Sequence, residues 1–179
     1  MDTNYTPSDW LAAGSDETED HYPLFDSNLS TTAANTTLTY FGTAMTAATE
    51  KERNNEFSGS LPQSQRFLLQ NIKVLYNDLV TSDDENSIAE GGYVKVTIQD
   101  RKRLHLPLHM IGAGGSVVPA GVTQDEDHIF MPPFDLKKNI VIPGGVPFKV
   151  EVVTGDTAPT TSTRVTVVLD GVLVRKKST

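Results

Sequence analysis

The stretch whose reading decides the fold runs from Glu56 to Val80. It holds Phe57-Ser-Gly-Ser-Leu61-Pro62 and then Arg66-Phe-Leu-Leu-Gln-Asn-Ile-Lys-Val-Leu-Tyr76, the densest apolar run in the chain. Its pattern admits two structures. Leu68, Ile72, Leu75 and Leu79 recur at spacings of 4, 3 and 4, the stripe of an amphipathic helix. Leu68, Ile72, Val74, Tyr76 and Val80 also follow a period of two, interrupted at Gln70 and Asp78, as a half-buried strand would. The stretch alone does not choose between them.

The downstream residues tip the balance. Gly92-Tyr-Val-Lys-Val-Thr-Ile98 alternates cleanly, with Val94, Val96 and Ile98 on one face and Tyr93, Lys95 and Thr97 on the other. In Arg103-Leu-His-Leu-Pro-Leu-His-Met-Ile111, Leu104, Leu106, Leu108 and Met110 are in phase, and Pro107 implies an edge strand or a bulge. Further short apolar runs lie at His128–Met131, Asn139–Ile142, Pro147–Val153, Arg164–Leu169 and Val172–Val174. Gly144-Gly145 and Asp170-Gly171 read as turns, and Gly112-Ala-Gly-Gly115 and Pro119-Ala-Gly121 as loops. Residues 66–80 therefore read as the long central strand of a β domain, led in by a short strand at Phe57–Leu61 and bending at Asn71 or Lys73.

Upstream, Thr36–Gly42 is rich in Thr and aromatics and reads as a first strand, with 43–55 a helical turn or a polar loop. The prediction is an all-β chain: a single antiparallel β-sandwich or jelly roll of about eight strands with an extended N-terminal arm. Its parts are an acidic arm at 1–34, the β domain at 35–175 and a short basic tail at 176–179.

Charge sets the arm apart. The chain of 179 residues has a net charge of −8, yet residues 1–50 hold eight acids and no Lys or Arg, while the remainder carries 15 acids and 15 bases. An acidic leader argues against wrapping nucleic acid, and no specific nucleic-acid recognition is expected. A short helical turn at Ser8–Ala13, stopped by Gly14, fits the arm's only local signal. Trp10, Tyr22, Leu24 and Phe25 are too apolar for a pure linker. They read as anchors that dock the arm on its own domain or on a neighbour, and so as a candidate inter-subunit latch.

Cysteine is absent, which excludes disulfides and thiolate chemistry. No apolar run approaches the roughly 20 residues that span a bilayer, and the first residues lack the basic and apolar regions of a secretory signal.

Catalytic patterns are weak. His105 and His109 are four apart, but on a strand that is about 13 Å, too far for one metal ion. Asp125-Glu-Asp-His128 and Asp83-Asp-Glu85 lack the alternating ligands of a calcium loop and read as solvated turns. Gly112–Gly115 is followed by Val117 where a dinucleotide fingerprint needs glycine. Neither a nucleophile elbow nor an H-E-x-x-H motif occurs. The expectation is a protein that is not an enzyme and needs no cofactor or metal. Arg175, Lys176 and Lys177 form a compact basic cluster after the last strand and are a candidate phosphate contact.

Two segments together carry a family resemblance: Phe57-Ser-Gly-Ser-Leu61-Pro62 with Phe67 and Ile72-Lys-Val74, and Ile140-Val-Ile-Pro-Gly-Gly-Val-Pro-Phe-Lys-Val150. In this order they resemble the single jelly-roll major capsid proteins of tailless, icosahedral, membrane-containing viruses of bacteria and archaea, over residues 36 to 175. The resemblance implies an upright jelly roll in a virion shell and capsomers built from further copies and other capsid subunits. It also implies an internal viral membrane beneath the shell, and synthesis in the host cytoplasm. The acidic leader departs from the basic arm of capsid proteins that hold genome, and fits an arm that tethers neighbours. The alternative from another class is a receptor- or carbohydrate-binding sandwich, such as a spike or fibre head, for which Tyr93 and the 112–128 loop are the candidates.

Overall fold

Gln65–Tyr76 is a strand, and its broken period has a structural cause. In the computed structural model, which describes residues 17–46, 49–76, 82–111 and 134–176, this strand pairs on one side with Phe134–Ile142 and on the other with Arg164–Lys176. Both ladders slip between Leu69 and Asn71. Against β9 the extra residue is Gln70, which reverses the face each following side chain takes, while against β7 the slip also leaves residues 136–139 unpaired with β4. Phe67 and Leu69 point into the core before the slip, and Ile72, Val74 and Tyr76 after it. The irregularity falls at Gln70, one residue before the expected bend at Asn71.

In chain order the strands are β1 (Glu17–His21), β2 (Leu24–Leu29), β3 (Thr37–Tyr40), β4 (Gln65–Tyr76), β5 (Tyr93–Ile98), β6 (Arg101–Pro107), β7 (Phe134–Ile142), β8 (Phe148–Val153) and β9 (Arg164–Lys176), with one helix, α1 (Ser82–Ala89). The ladders nest: β5 pairs β6, β4 pairs β7, β3 pairs β8 and β2 pairs β9, all antiparallel. The chain is thus one long hairpin. Its tip is the two-residue turn Gln99–Asp100, with φ of 49° and 60°, the left-handed pair that matches the twist of the flanking strands. Rolling this hairpin adds the ladders β4·β9 and β5·β8. The outcome is two sheets, one ordered β1-β9-β4-β7 with β2 also on β9, the other β3-β8-β5-β6. That order is a jelly roll.

The core lies between the sheets. Val94, Val96 and Ile98 of β5 face Phe67, Leu69, Ile72 and Val74 of β4 and Val165, Val167 and Leu169 of β9, all buried. Burying each such side chain contributes about 1.5–3 kcal/mol, which is what holds the two sheets face to face.

Several expectations are corrected. Residues 17–29, assigned to the arm, form β1 and β2 on β9, so the sheet begins well before residue 35. Glu17–His21 carries almost no apolar residue. It is held by its ladder and by cross-strand pairs, Glu17 Oε2 to Arg66 Nη2 at 2.6 Å and His21 Nε2 to Asp170 Oδ1 at 2.8 Å. Asp170-Gly171 is no turn but the middle of an unbroken 13-residue strand. Gly171 sits opposite Leu69 at the bulge, and a Cβ there would overlap the Leu68 carbonyl oxygen.

Phe57–Leu61 is a bend with a single bridge, Ser60 to Pro147, rather than a strand. The strand expected over 103–111 stops at Pro107, and Leu108–Met110 is one 3-10 turn with Leu108 buried and Met110 half exposed. Asp83–Glu85 is not a solvated turn but the first turn of α1, where carboxylates favour the helix dipole. The run at 128–131 lies outside the described residues.

Candidate interaction surface

Among the described residues no three His, Asp or Glu converge as a metal site. His105 packs edge-on against Tyr93, ring centroids 4.5 Å apart, and His109 lies in the 3-10 turn after Pro107. Asp84 is buried under the 154–163 loop, where its carboxylate accepts the N–H and hydroxyl of both Thr160 and Thr161. The Thr161 hydroxyl leads in holding its pKa below the ordinary value, against the cost of burial. These are structural uses of titratable groups. Gly112–Gly115 and Asp125–His128 lie outside the described residues.

The two edges of the sandwich differ in build. At the β2/β3 edge, the β2 backbone is capped by side chains. The Phe25 N–H donates to Asn54 Oδ1 at 2.7 Å, the Asn54 N–H donates back to the Phe25 carbonyl at 3.1 Å, and Asn54 Nδ2 donates to the Pro23 carbonyl at 2.6 Å. Asn54 thereby stands in for a further strand. One residue on, Asp26 is 2% exposed and its Oδ2 accepts the Phe41 N–H at 2.6 Å.

Phe41 has φ of 64° and is fully buried. A bulky residue in that left-handed region costs about 1–2 kcal/mol. Asp26 on one side and the Gly59 N–H to its carbonyl on the other hold it there. Arg53 Nε lies 3.3 Å from Asp26 Oδ1, a contact of charge rather than an aligned hydrogen bond. Burial pushes the Asp26 carboxyl above its ordinary value, and the Phe41 N–H and Arg53 only partly offset that. Asn28 Nδ2 completes the seal with a 2.7 Å bond to the Thr39 carbonyl across the two sheets.

The opposite edge, between β6 and β7, is built differently among the described residues. A groove of about 840 Å³ runs along it, lined by apolar Leu104, Phe134, Leu136 and Ile140 and bordered by Arg103 and Lys137. The apolar residues are half-buried against the core, so the groove is the mouth of the sandwich itself. Arg101, Lys102 and Arg103 are all exposed on β6, and Lys137 and Lys138 on β7. Five cations face two acids of the same edge, Asp100 and Asp135. Arg101-Lys-Arg103 is as compact as the C-terminal cluster, but its partners on β7 are distant in sequence, so the basic edge does not stand out there. On the outer face of the neighbouring sheet, Glu151 accepts from Lys95 at 2.7 Å and Lys149 at 3.0 Å. Burial raises the Glu151 pKa, but the two lysines outweigh it and hold it below the ordinary value.

The anticipated latch residues separate. Leu24 is 1% exposed in the core of its own chain. Tyr22 packs partly buried on that core, with the Arg175 guanidinium 5.8 Å above its ring. Phe25 is half-buried beside Asn54. Leu24 is therefore buried within its own chain, while Tyr22 and Phe25 keep part of their surface. Trp10 lies outside the described residues. Of the basic cluster, Arg175 is half-buried against Tyr22, Lys176 is exposed at the end of β9, and Lys177 lies outside the described residues. No protein-family model, no curated protein and no solved structure matches this chain.

Proposed function

We propose that this chain is a structural subunit that self-assembles into capsomers and an icosahedral viral shell. The observation that supports it most is the jelly roll itself, running from Glu17 to Lys176, with one edge sealed and, among the described residues, a groove along the other. A shell subunit must offer lateral contacts without exposing strands that pair indiscriminately. Here one edge is blocked by Asn54, and the other presents charged side chains around an apolar mouth. Unlike edges of identical copies joined in this way form a head-to-tail interface, which makes a ring where the rotation closes. No active site is needed for this role. On this reading the partners are further copies, other capsid subunits and the membrane inside the virion, and the protein resides in the virion after synthesis in the host cytoplasm.

Electron microscopy and mass measurement of the purified chain test the proposal. Hexagonal patches or closed shells are expected. A compact trimer that binds glycans or cell surfaces would replace this reading with the spike or fibre-head alternative.

A further inference from the structure

The five-stranded sheet carries an apolar strip on the face turned away from the core. Val141 of β7, Leu68 of β4 and Val172 of β9 stand in one row across it, each opposite the next in register. Val174, next to Arg66 and Glu19, lies one row nearer the sheet end. Asp135, Asn71 and Asp170 form the polar row on the strip's other side. We infer that this strip seats Trp10, folded back from the leader of the same chain. The inference goes beyond the self-assembly reading and holds for a single copy.

Burial is the first observation. Leu68 is 1% and Val174 2% exposed, yet neither belongs to the core cluster, which takes Phe67, Leu69 and Leu173 from the other face. The ion pair of Arg66 with Glu17 spans β9 beside Val174 and accounts for its burial. Leu68 has beside it in its row only the half-buried Val172 and Val141, which is 36% exposed. A leucine so placed on a sheet face keeps part of its surface unless a further group lies on it.

Size is the second. Three strands and two rows make a strip of about 14 Å by 7 Å. That is the footprint of one aromatic side chain, far short of the roughly 800 Å² per partner that a stable protein interface buries. The chain has a single tryptophan, Trp10.

Connectivity is the third. Glu17 pairs with Lys176, four residues along β9 from Val172, and β4 is the next strand. Leu68 therefore lies about 16 Å from Glu17, within the roughly 23 Å that the seven residues back to Trp10 span when extended. Other segments outside the described residues suit the strip less. The run at 128–131 is at most six residues from Phe134, about 20 Å, whereas Val141 is seven residues along β7, about 23 Å. Residues 112–127 hold no aromatic side chain, and Lys177-Ser-Thr179 no apolar one.

Trp10 is its own reporter, in the full chain diluted until sedimentation shows single copies. Its emission is expected to be blue-shifted and shielded from acrylamide relative to the urea-unfolded chain. Val141→Lys, at a partly exposed site, is expected to shift that emission to the red and raise quenching at unchanged far-ultraviolet circular dichroism. Emission equal to that of the unfolded chain, or unmoved by Val141→Lys, overturns the inference. A second arm needs no surface variant: p-benzoyl-phenylalanine at position 10, in mixed light and heavy isotope-labelled copies, at concentrations where copies associate. Photo-cross-links within one copy to peptides 66–69, 139–142 or 171–174 are expected. Cross-links between copies would give the strip to a second copy, and cross-links elsewhere in the same chain would seat position 10 off it. Either result overturns the inference. Shell formation enters neither arm, so the shell reading can fail while this one stands, and the reverse.

Discussion

The β2/β3 edge and the β6/β7 edge bound the same sandwich and solve opposite problems. The first is closed by polar groups made local and buried: Asn54 imitates a strand, Asp26 holds a strained Phe41, and Asn28 stitches one sheet to the other. Among the described residues the second holds a groove with an apolar lining and a basic border. A sandwich of identical subunits with two sealed edges would not assemble, and one with two open edges would aggregate. On the proposed reading, the difference puts stability on one side and association on the other.

Breaking the sealed edge should have the largest effect. Asp26→Ala strands the Arg53 guanidinium and leaves the buried Phe41 N–H without an acceptor, so a loss of about 3 kcal/mol is expected in urea unfolding. Asp26→Asn keeps an acceptor for Phe41 and should lose clearly less. Equal losses would mean that charge, not the Phe41 bond, closes this edge.

Acid should act more gently, with opposite sign at Asp26 on the sealed edge and at Glu151 on the outer face of the β3-β8-β5-β6 sheet. Glu151 takes up a proton more readily when unfolded, because its folded pKa is lowered. Its contribution is therefore whole above the ordinary 4.5 and fades as pH falls through the folded value. Asp26 has the opposite sign: its folded pKa is raised, so the folded state takes up the proton first and acid favours it down to the ordinary 3.8. Relative to their own stability at pH 7, Glu151→Gln should flatten the acid limb and Asp26→Asn should steepen it. The same response from both would contradict the opposite directions in which folding moves the two carboxyl groups.

The smallest effect should come from Leu29, which is 59% exposed at the end of β2. Leu29→Ser is expected to shift stability by no more than about 0.5 kcal/mol by thermal melting. A larger loss would show that the sealed edge extends past Ser30, whose hydroxyl accepts the Thr163 N–H at 2.9 Å.

Strands buried on one face were legible in the sequence, because packing imposes the period that β5 displays from Tyr93 to Ile98. β1 was not, since an edge strand of Glu, Thr, Asp and His is held by pairing with residues more than a hundred positions away. Asp170-Gly171 misled for a related reason: the same dipeptide that makes a turn also fits where a neighbouring strand bulges against it. Helix α1 buries little beyond Ile88 and Asp84, so its apolar stripe was too thin to read. The candidate groove was invisible because β6 and β7 are brought together only by the rolling of the hairpin. Arg103 and Lys137 meet across 34 positions of sequence.

The nested hairpin also dictates when the molecule can exist during its own synthesis. Its tip at Gln99–Asp100 leaves the ribosome long before β9 does, so β5 and β6 can zip first, then β4 with β7 and β3 with β8, each closure shortening the loop left for the next. β9 contributes the interior strand between β1, β2 and β4. Until residues 164–176 emerge, β1 and β2 have no ladder and β4 has one side bare. The five-stranded sheet therefore closes only once residues 164–176 are free to pair. Chains released before Arg164 carry exposed strand edges and should go to proteolysis.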